Sequence, residues 1–222
     1  MELTKPQIKR IDTFLENLGC EYIDIRFEMV DHIATDIEQN ITNHDEFFKK
    51  DKLRGKFFLY MMSKREEFED SYHKQSKKQF WTNFGFTLKE IGRELLNVKI
   101  LLFIFMVVFI FNKATSINIF YPSLIILIVT VLNFGYTYYL LNKEVKEMGK
   151  LRIVHTFISL SMFAFLLINQ FYNYIKLLLK HDNEVVYFAY AYLFFMIYNT
   201  LLTIVFIKNK NKFKNKYKYL LN

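Results

Sequence analysis

The densest group of side chains that could do chemistry lies in one short stretch of the N-terminal third. Its carboxylates and imidazole belong to Asp24, Glu28, Asp31, His32 and Asp36. On a helix, Glu28 and His32 are four residues apart and lie on the same side, with Asp24 one turn earlier. Carboxylates and an imidazole on one face are groups that can bind a divalent metal ion.

The spacing of these residues nevertheless argues against a metal site. Di-iron bundles use Glu-x-x-His motifs on paired helices together with further glutamate ligands. Here His32 follows Glu28 at i+4, and the sequence has no second such motif. We therefore expect no metal ion, and interpret the cluster either as a solvated face or as a surface that recognises a basic protein partner.

Catalytic motifs are missing from the sequence. It has no HExxH, no CxxC, no glycine-rich phosphate loop and no pairing of a nucleophile with a base. Its single cysteine, Cys20, cannot form an internal disulfide. We therefore expect neither catalytic activity nor a bound cofactor.

Four apolar segments fill the second half of the chain. None contains Asp or Glu, and Lys99 is their only Lys or Arg residue; they span residues 96–112, 123–141, 153–175 and 185–207. Crossing a bilayer takes about 20 mostly apolar residues. Three segments meet that length and the first is short, so it must recruit flanking residues or thin the bilayer locally. The sequence predicts an all-α integral membrane protein with four transmembrane helices.

The net charge of +8 belongs to the membrane half. Residues 1–97 have 16 basic against 18 acidic residues, whereas residues 98–222 have 14 against four. The basic excess is therefore typical of the positive-inside pattern and gives no support for nucleic-acid binding. Around the four segments, the number of Lys and Arg residues runs four, one, four, two and six. This alternation predicts that both termini lie in the cytosol.

Helical patterns also precede the membrane half. A first helix is capped by Thr4 and ends at Gly19, a second covers about 22–41, and a third covers about 46–68, after a turn where Asp45 is a possible cap. These helices predict a small cytosolic domain over residues 1–76.

The segment 77–97 carries an apolar stripe with basic residues around it. It fits an amphipathic juxtamembrane helix that lies in the inner headgroup region or extends the first span inward, and we prefer this interpretation to a fourth helix of the cytosolic domain. The basic residues 208–222 are expected to form a cytosolic tail. The residues predicted at the inner membrane interface are Trp81, Lys89, Arg93, Lys143, Lys146, Lys150 and Arg152.

Two N-terminal motifs are similar to those of a known family. They are the stretch Phe14-Leu15-Glu16-Asn17-Leu18-Gly19 and the pattern Glu28-x-x-Asp31-His32-x-x-x-x-Ile37-Glu38. They resemble the HAAS group, helical cytosolic domains that precede transmembrane helices in bacterial proteins encoded near PadR-like regulators. That group often has Leu-Pro where this chain has Leu18-Gly19. The resemblance covers about residues 1–70 and implies a signalling or regulatory membrane protein without known catalysis.

These observations predict a bacterial inner-membrane protein whose cytosolic helical domain binds a protein partner. The polar N-terminal residues lead us to expect that the first 95 or so residues stay in the cytosol. A small transporter or channel component is the alternative, since amide side chains occur at membrane depth in Asn133, Asn169, Gln170 and Asn199. The expected partners are the lipid bilayer and a cytosolic or membrane protein, with a homo-oligomer left open.

Overall fold

Helices make up the regular structure of the chain, as the sequence predicts. The computed structural model describes residues 2–49, 55–148, 150–178 and 184–216. In these ranges it contains no strand. The helices are α1 (Lys5–Asn17), α2 (Ile23–Asn40), α3 (His44–Phe47), α4 (Lys56–Ser63), α5 (Arg65–Leu95), α6 (Val98–Ile117), α7 (Phe120–Met148), α8 (Arg152–Leu178) and α9 (Glu184–Lys216).

The chain divides into two compact units. The N-terminal unit contains the described residues of Met1–Trp81 together with those of Met148–Arg152. The membrane unit contains Thr82–Glu147 and Ile153–Lys216. Helix α5 contributes residues to both units, so the predicted boundary at residue 76 is not a break between helices. Residues 77–95 are instead the second part of a single 31-residue helix.

Local signals in the sequence set the limits of α1. Thr4 forms a capping box with Gln7, whose side chain accepts from the Thr4 backbone N–H at 2.8 Å. After α1, Gly19 has a φ of +88°, a left-handed conformation that side chains with a Cβ rarely adopt. The predicted start and end of this helix are confirmed.

The core of the N-terminal unit lies between α1, α2 and the helices that follow. Ile11 and Leu15 of α1 are fully buried, as are Ile25 and Ile37 of α2. Each such side chain contributes about 1.5–3 kcal/mol when it is removed from water. Cys20 lies in the same cluster and is 1% exposed. Burial raises the pKa of its thiol to about 11.

The predicted third helix is wrong in its extent. The structure has a short α3 before the undescribed residues 50–54, then α4, and then α5 from Arg65. The cap of α3 is Asn43 rather than Asp45, because the Asn43 side chain accepts from the Glu46 backbone N–H at 3.1 Å. Aromatic rings of α3 and α4 contact one another, with the Phe47 and Phe57 centroids 6.0 Å apart.

Three helices of the membrane unit are long and apolar enough to cross a membrane. They are Val98–Ile117, Phe120–Lys146 and Val185–Lys216. The first of these is longer than the predicted segment 96–112, because the helix continues to Ile117. In α8 the apolar stretch among the described side chains, Arg152–Leu167, is shorter. The fourth span therefore stays a prediction.

Helix α9 continues into the predicted basic tail. Lys208 Nζ lies 2.6 Å from Glu94 Oε1, and Lys210 pairs with the nearly inaccessible Glu144. Lys214 Nζ is 3.5 Å from the other oxygen of Glu144. These carboxylates offset the charge of lysines that would otherwise repel one another along α9. Lys180 and residues 217–222 lie outside the described part of the chain.

We predict that Gly19→Ala destabilises the N-terminal unit by about 1 kcal/mol, because Ala is strained at positive φ. The buried Cys20 thiol reports this directly: its alkylation by iodoacetamide in the full-length protein should become about fivefold faster. Gly85→Ala is the matched control, since its added Cβ meets no atom within 4 Å in helix α5. An unchanged alkylation rate in Gly19→Ala would contradict the strain at this turn.

Candidate functional site

The residues that join α7 to α8 belong to the N-terminal unit. The Ile23 backbone N–H donates to the carbonyl oxygen of Lys150 at 3.1 Å. Lys150 Nζ lies 3.3 Å from Glu21 Oε2, and Leu151 is fully buried. Residues 150–152 contact residues 21–24, 76 and 79–80, and we call this set of contacts the junction clasp. It joins the start of α2 to the chain that enters α8.

Arg152 makes the side-chain contacts of the junction clasp. Its Nη1 donates to the Tyr22 hydroxyl at 2.8 Å, and its Nε donates to the Ser76 carbonyl oxygen at 3.3 Å. The guanidinium carbon lies 4.6 Å from the Tyr22 ring centroid and 5.1 Å from that of Phe80. A planar guanidinium can stack on rings and donate at its edges at the same time, whereas a lysine cannot. The geometry is therefore specific for arginine.

Asp24 supplies the acceptor on the α2 side of the junction clasp. Its Oδ1 accepts from the Arg152 backbone N–H at 3.2 Å, and its Oδ2 accepts from Gln79 Nε2 at 3.0 Å. Arg152 is the first residue of α8, so this N–H is one that the helix itself leaves without a partner. A carboxylate at a helix N-terminus also interacts favourably with the helix dipole. Asp24 therefore caps α8 from a different helix.

Burial of Asp24 carries an electrostatic cost. The residue is 8% exposed, and desolvation raises the pKa of its carboxyl, while the hydrogen bonds from Arg152 and Gln79 oppose that shift. A buried carboxylate is tolerated when hydrogen bonds satisfy its oxygens. Its stability in the ionised form thus depends on contacts from the α7–α8 junction and from α5.

Tyr72 of α5 holds the chain ahead of α2 in place. Its hydroxyl accepts from the backbone N–H groups of Glu21 and Tyr22, at 3.0 and 3.2 Å. The Tyr22 and Tyr72 rings are stacked with their centroids 6.2 Å apart. Tyr22, which contacts Arg152, is therefore positioned by a second residue that is itself buried.

The predicted acidic cluster divides into a buried and an accessible part. Asp24 belongs to the junction clasp, whereas Glu28, Asp31 and His32 are exposed. Asp36 is half-buried and accepts a hydrogen bond from the Tyr60 hydroxyl, which lowers the pKa of its carboxyl. No group of three potential metal-ligating residues occurs within the described residues. Helical spacing placed these residues on one helix but could not separate Asp24 from the others.

The predicted interface residues also differ in their surroundings. Lys150 and Arg152 contact the N-terminal unit, as described above. Arg93 pairs with Glu90 on the same helix. The remaining members are exposed: Trp81, Lys89, Lys143 and Lys146. Sequence reasoning missed Tyr22, Tyr72 and Gln79, because each looks like an ordinary polar position. Only the fold brings Gln79 to Asp24 and Tyr22 to Arg152, with Tyr72 behind Tyr22.

A second polar group lies inside the membrane unit, between α7, α8 and α9. Asn199 Nδ2 donates to Asn133 Oδ1 at 2.8 Å and to Thr137 Oγ1 at 2.9 Å. Ser161 Oγ donates to Asn199 Oδ1 at 2.8 Å. Asn133 Nδ2 in turn donates to Thr200 Oγ1 at 3.1 Å. Asn133 and Asn199 therefore hydrogen-bond between helices, while Gln170 is exposed and the Asn169 side chain lies outside the described part.

Comparison with models of protein families, with curated proteins and with solved structures finds no match for this chain. The resemblance of residues 14–38 to the HAAS group therefore stays a prediction. The interpretation of the site rests on its geometry.

We predict that Asp24→Ala opens the junction clasp, since it leaves the Arg152 N–H and Gln79 without their acceptor. Loss of a capping acceptor costs about 1 kcal/mol. Hydrogen exchange of the full-length protein should then be about fivefold faster in peptides covering Ile23 and Arg152.

Two matched variants make this test specific. Asp24→Asn keeps one oxygen that accepts from the Arg152 N–H, and its NH2 group can donate to Gln79 once the Gln79 amide turns over, so it should stay close to wild type. Asp31→Ala removes an exposed carboxylate from the same helix and should change nothing at Ile23. Equal exchange in Asp24→Ala and Asp31→Ala would show that Asp24 does not hold the junction.

Proposed function

We propose that this chain is a regulatory protein of a bacterial inner membrane, in which a cytosolic helical unit is coupled to the membrane helices and binds a protein partner. The observation that carries the proposal is the junction clasp. Its residues from α2 and α5 hold the first residue of α8, so a change in the position of α8 alters contacts at the start of α2, and the reverse holds as well.

The coupling is suited to two discrete states. The contacts of Arg152 are directional hydrogen bonds and ring contacts, and they are made or lost together when its guanidinium moves. Contacts that are lost together are suited to an element that switches between two arrangements. A signal at the membrane helices would thereby reach the N-terminal unit through the α7–α8 junction, in addition to the covalent path through helix α5.

The proposed membrane topology has four spans, with both termini in the cytosol. Its support is the alternation of basic residues around the apolar segments, together with the three helices that are long and apolar enough to cross a membrane. This topology puts the α7–α8 junction on the cytosolic side. The N-terminal unit then has to lie on the cytosolic side as well, because residues 150–152 of this junction belong to it.

The proposed partner surface is the exposed face of α2 formed by Glu28, Asp31 and His32. Its accessible carboxylates favour a basic partner surface, and electrostatic complementarity of this kind speeds association and sets specificity. Asp36 lies at the end of this face nearer the C-terminus of α2. Asp24 is excluded from it because both its oxygens accept hydrogen bonds within the junction clasp.

A transporter is the less favoured function. The amides of Asn133 and Asn199 bind each other and neighbouring hydroxyls, so they are occupied in holding α7, α8 and α9 together. Interhelical hydrogen bonds in membranes contribute about 0.6 kcal/mol on average, which suits a role in helix association.

We predict that loosening the membrane unit changes the N-terminal unit only while the junction clasp is intact. Asn199→Leu removes three hydrogen bonds between helices and should speed hydrogen exchange at Ile23 about threefold in the full-length protein. The same substitution made in Asp24→Ala should add no further change, because the clasp is already open.

Asn142→Leu is the matched control, since the Asn142 amide bonds to a carbonyl of its own helix. Additive effects of Asn199→Leu and Asp24→Ala on exchange at Ile23 would argue against coupling through the junction.

The partner surface makes a separate prediction. A photo-crosslinking amino acid at the exposed Thr35 should give a specific adduct in native membranes, and Glu28→Lys with Asp31→Lys should abolish it by reversing the charge. The same probe at Glu66, an exposed acidic position on α5, should not give that adduct. Identical adducts from both positions, or an adduct that survives the charge reversal, would contradict a partner site on α2.

A further inference from the structure

Large apolar side chains are exposed at seven-residue intervals along the second part of α5. Leu88 is 46% exposed and Leu95 is 38% exposed, and Trp81 has the same spacing at 57%. An α-helix makes almost two turns in seven residues, so these side chains lie on one face. The buried Thr87 and Glu94 lie on a different face. Helix α5 therefore has an apolar side that its own fold does not bury.

Two exposed glycines lie on the same face as these leucines. Gly85 and Gly92 each come three residues before a leucine, so the four positions follow one another at intervals of three, four and three residues. Such intervals form the seam between the helices of a left-handed pair. We call the four residues Gly85, Leu88, Gly92 and Leu95 the α5 seam.

The fold of the described residues gives no reason for glycine at either position of the α5 seam. Neither Gly85 nor Gly92 has a positive φ, and a Cβ added to either would meet no atom within 4 Å outside the local helix backbone. Glycine in a helix interior is also less favourable than alanine. Lipid gains nothing from a missing side chain, whereas a second helix approaches more closely where small residues lie between larger ones. The glycines therefore favour a helix as the occupant of the seam.

We infer that the α5 seam binds the same seam of a second copy of this chain. Copies that insert into one bilayer with one topology are related by a two-fold axis along the membrane normal, and a surface on that axis meets itself. In a parallel helix pair, equal positions face each other, which puts glycine opposite glycine and leucine opposite leucine. The four seam residues carry no charge, so pairing identical seams brings no like charges together along it.

The size of the contact indicates a dimer that depends on the bilayer. Leu102 and Phe109 continue the seven-residue interval in α6, and they are 63% and 53% exposed. A strip from Gly85 to Phe109 is at most about 36 Å long and about 10 Å wide, so it covers on the order of 400 Å² per copy, roughly half of a standard interface. Such a contact is weak in solution. Confinement of both copies to one bilayer raises their effective concentration.

The inference goes beyond the proposed function and does not rest on it. No residue of the α5 seam belongs to the junction clasp or to the proposed partner surface on α2. Loss of the dimer would leave the contacts of Asp24 and Arg152 unchanged.

Disulfide cross-linking of the full-length protein in liposomes tests the inference. In a Cys20→Ser protein, Leu88→Cys and Leu95→Cys should each give a disulfide-linked dimer on mild oxidation, because equal positions face each other. Arg93→Cys, which is exposed outside the seam, measures random collision and should give at least fivefold less dimer. Mixing a tagged with an untagged copy should give a product of intermediate size, which identifies both partners as this chain.

A matched pair of variants tests the role of the glycines. In the Leu88→Cys protein, Gly92→Leu fills the space needed for close approach and should lower the yield of dimer about fivefold. Arg93→Leu adds the same side chain at the next residue, outside the seam, and should leave the yield unchanged. Hydrogen exchange in peptides from α7 and α9 verifies that each variant is folded. Equal yields from Leu88→Cys and Arg93→Cys would overturn the inference and indicate that lipid covers the seam. A yield that Gly92→Leu does not lower would overturn it as well.

Discussion

The first backbone N–H groups of α8 have no partner within their own helix, and the N-terminal unit supplies an acceptor for one of them. The other contacts of the junction clasp depend on the need to provide an acceptor for this N–H group. The Asp24 carboxylate meets it at the cost of its own desolvation, which raises the pKa of the carboxyl. Gln79 donates to that carboxylate, and the stacked Tyr22 and Tyr72 hold the chain that leads into α2. The short connection between α7 and α8 is thereby part of a folded helical unit.

The two polar clusters of the protein have different physical roles. In the membrane unit, Asn133 and Asn199 satisfy each other where water is scarce, and they fix the register of α7 against α9. In the junction clasp, the partly buried Arg152 bonds to the Tyr22 hydroxyl and to the carbonyl oxygen of the buried Ser76. The first cluster is therefore suited to holding membrane-unit helices together, and the second to joining α2 and α5 to the residue that begins α8. Helix α8 belongs to both, through Ser161 and Arg152.

Much of the fold could be predicted from local sequence. Thr4 and Gly19 define α1 because a cap and a left-handed turn depend on single residues. The length of the apolar segments predicted the three helices that are long and apolar enough to cross a membrane. The junction clasp could not be predicted, since Asp24 and Arg152 are 128 residues apart and helical spacing gives no information on such pairs. Arg152 was expected at the membrane interface because of its charge. Its role in the junction clasp follows from the Tyr22 and Phe80 rings beside its guanidinium.

Proximity of the start of α2 to the α7–α8 junction is the central claim, and cross-linking tests it most directly. In a full-length Cys20→Ser protein in lipid, Glu21→Cys and Lys150→Cys replace two residues that form an ion pair. A short bismaleimide should join them within one chain in high yield. The pair Glu38→Cys and Lys150→Cys should give none, because Glu38 lies about 25 Å further along α2 at 1.5 Å per residue. Equal yields from the two pairs, or no product from the first, would contradict the account.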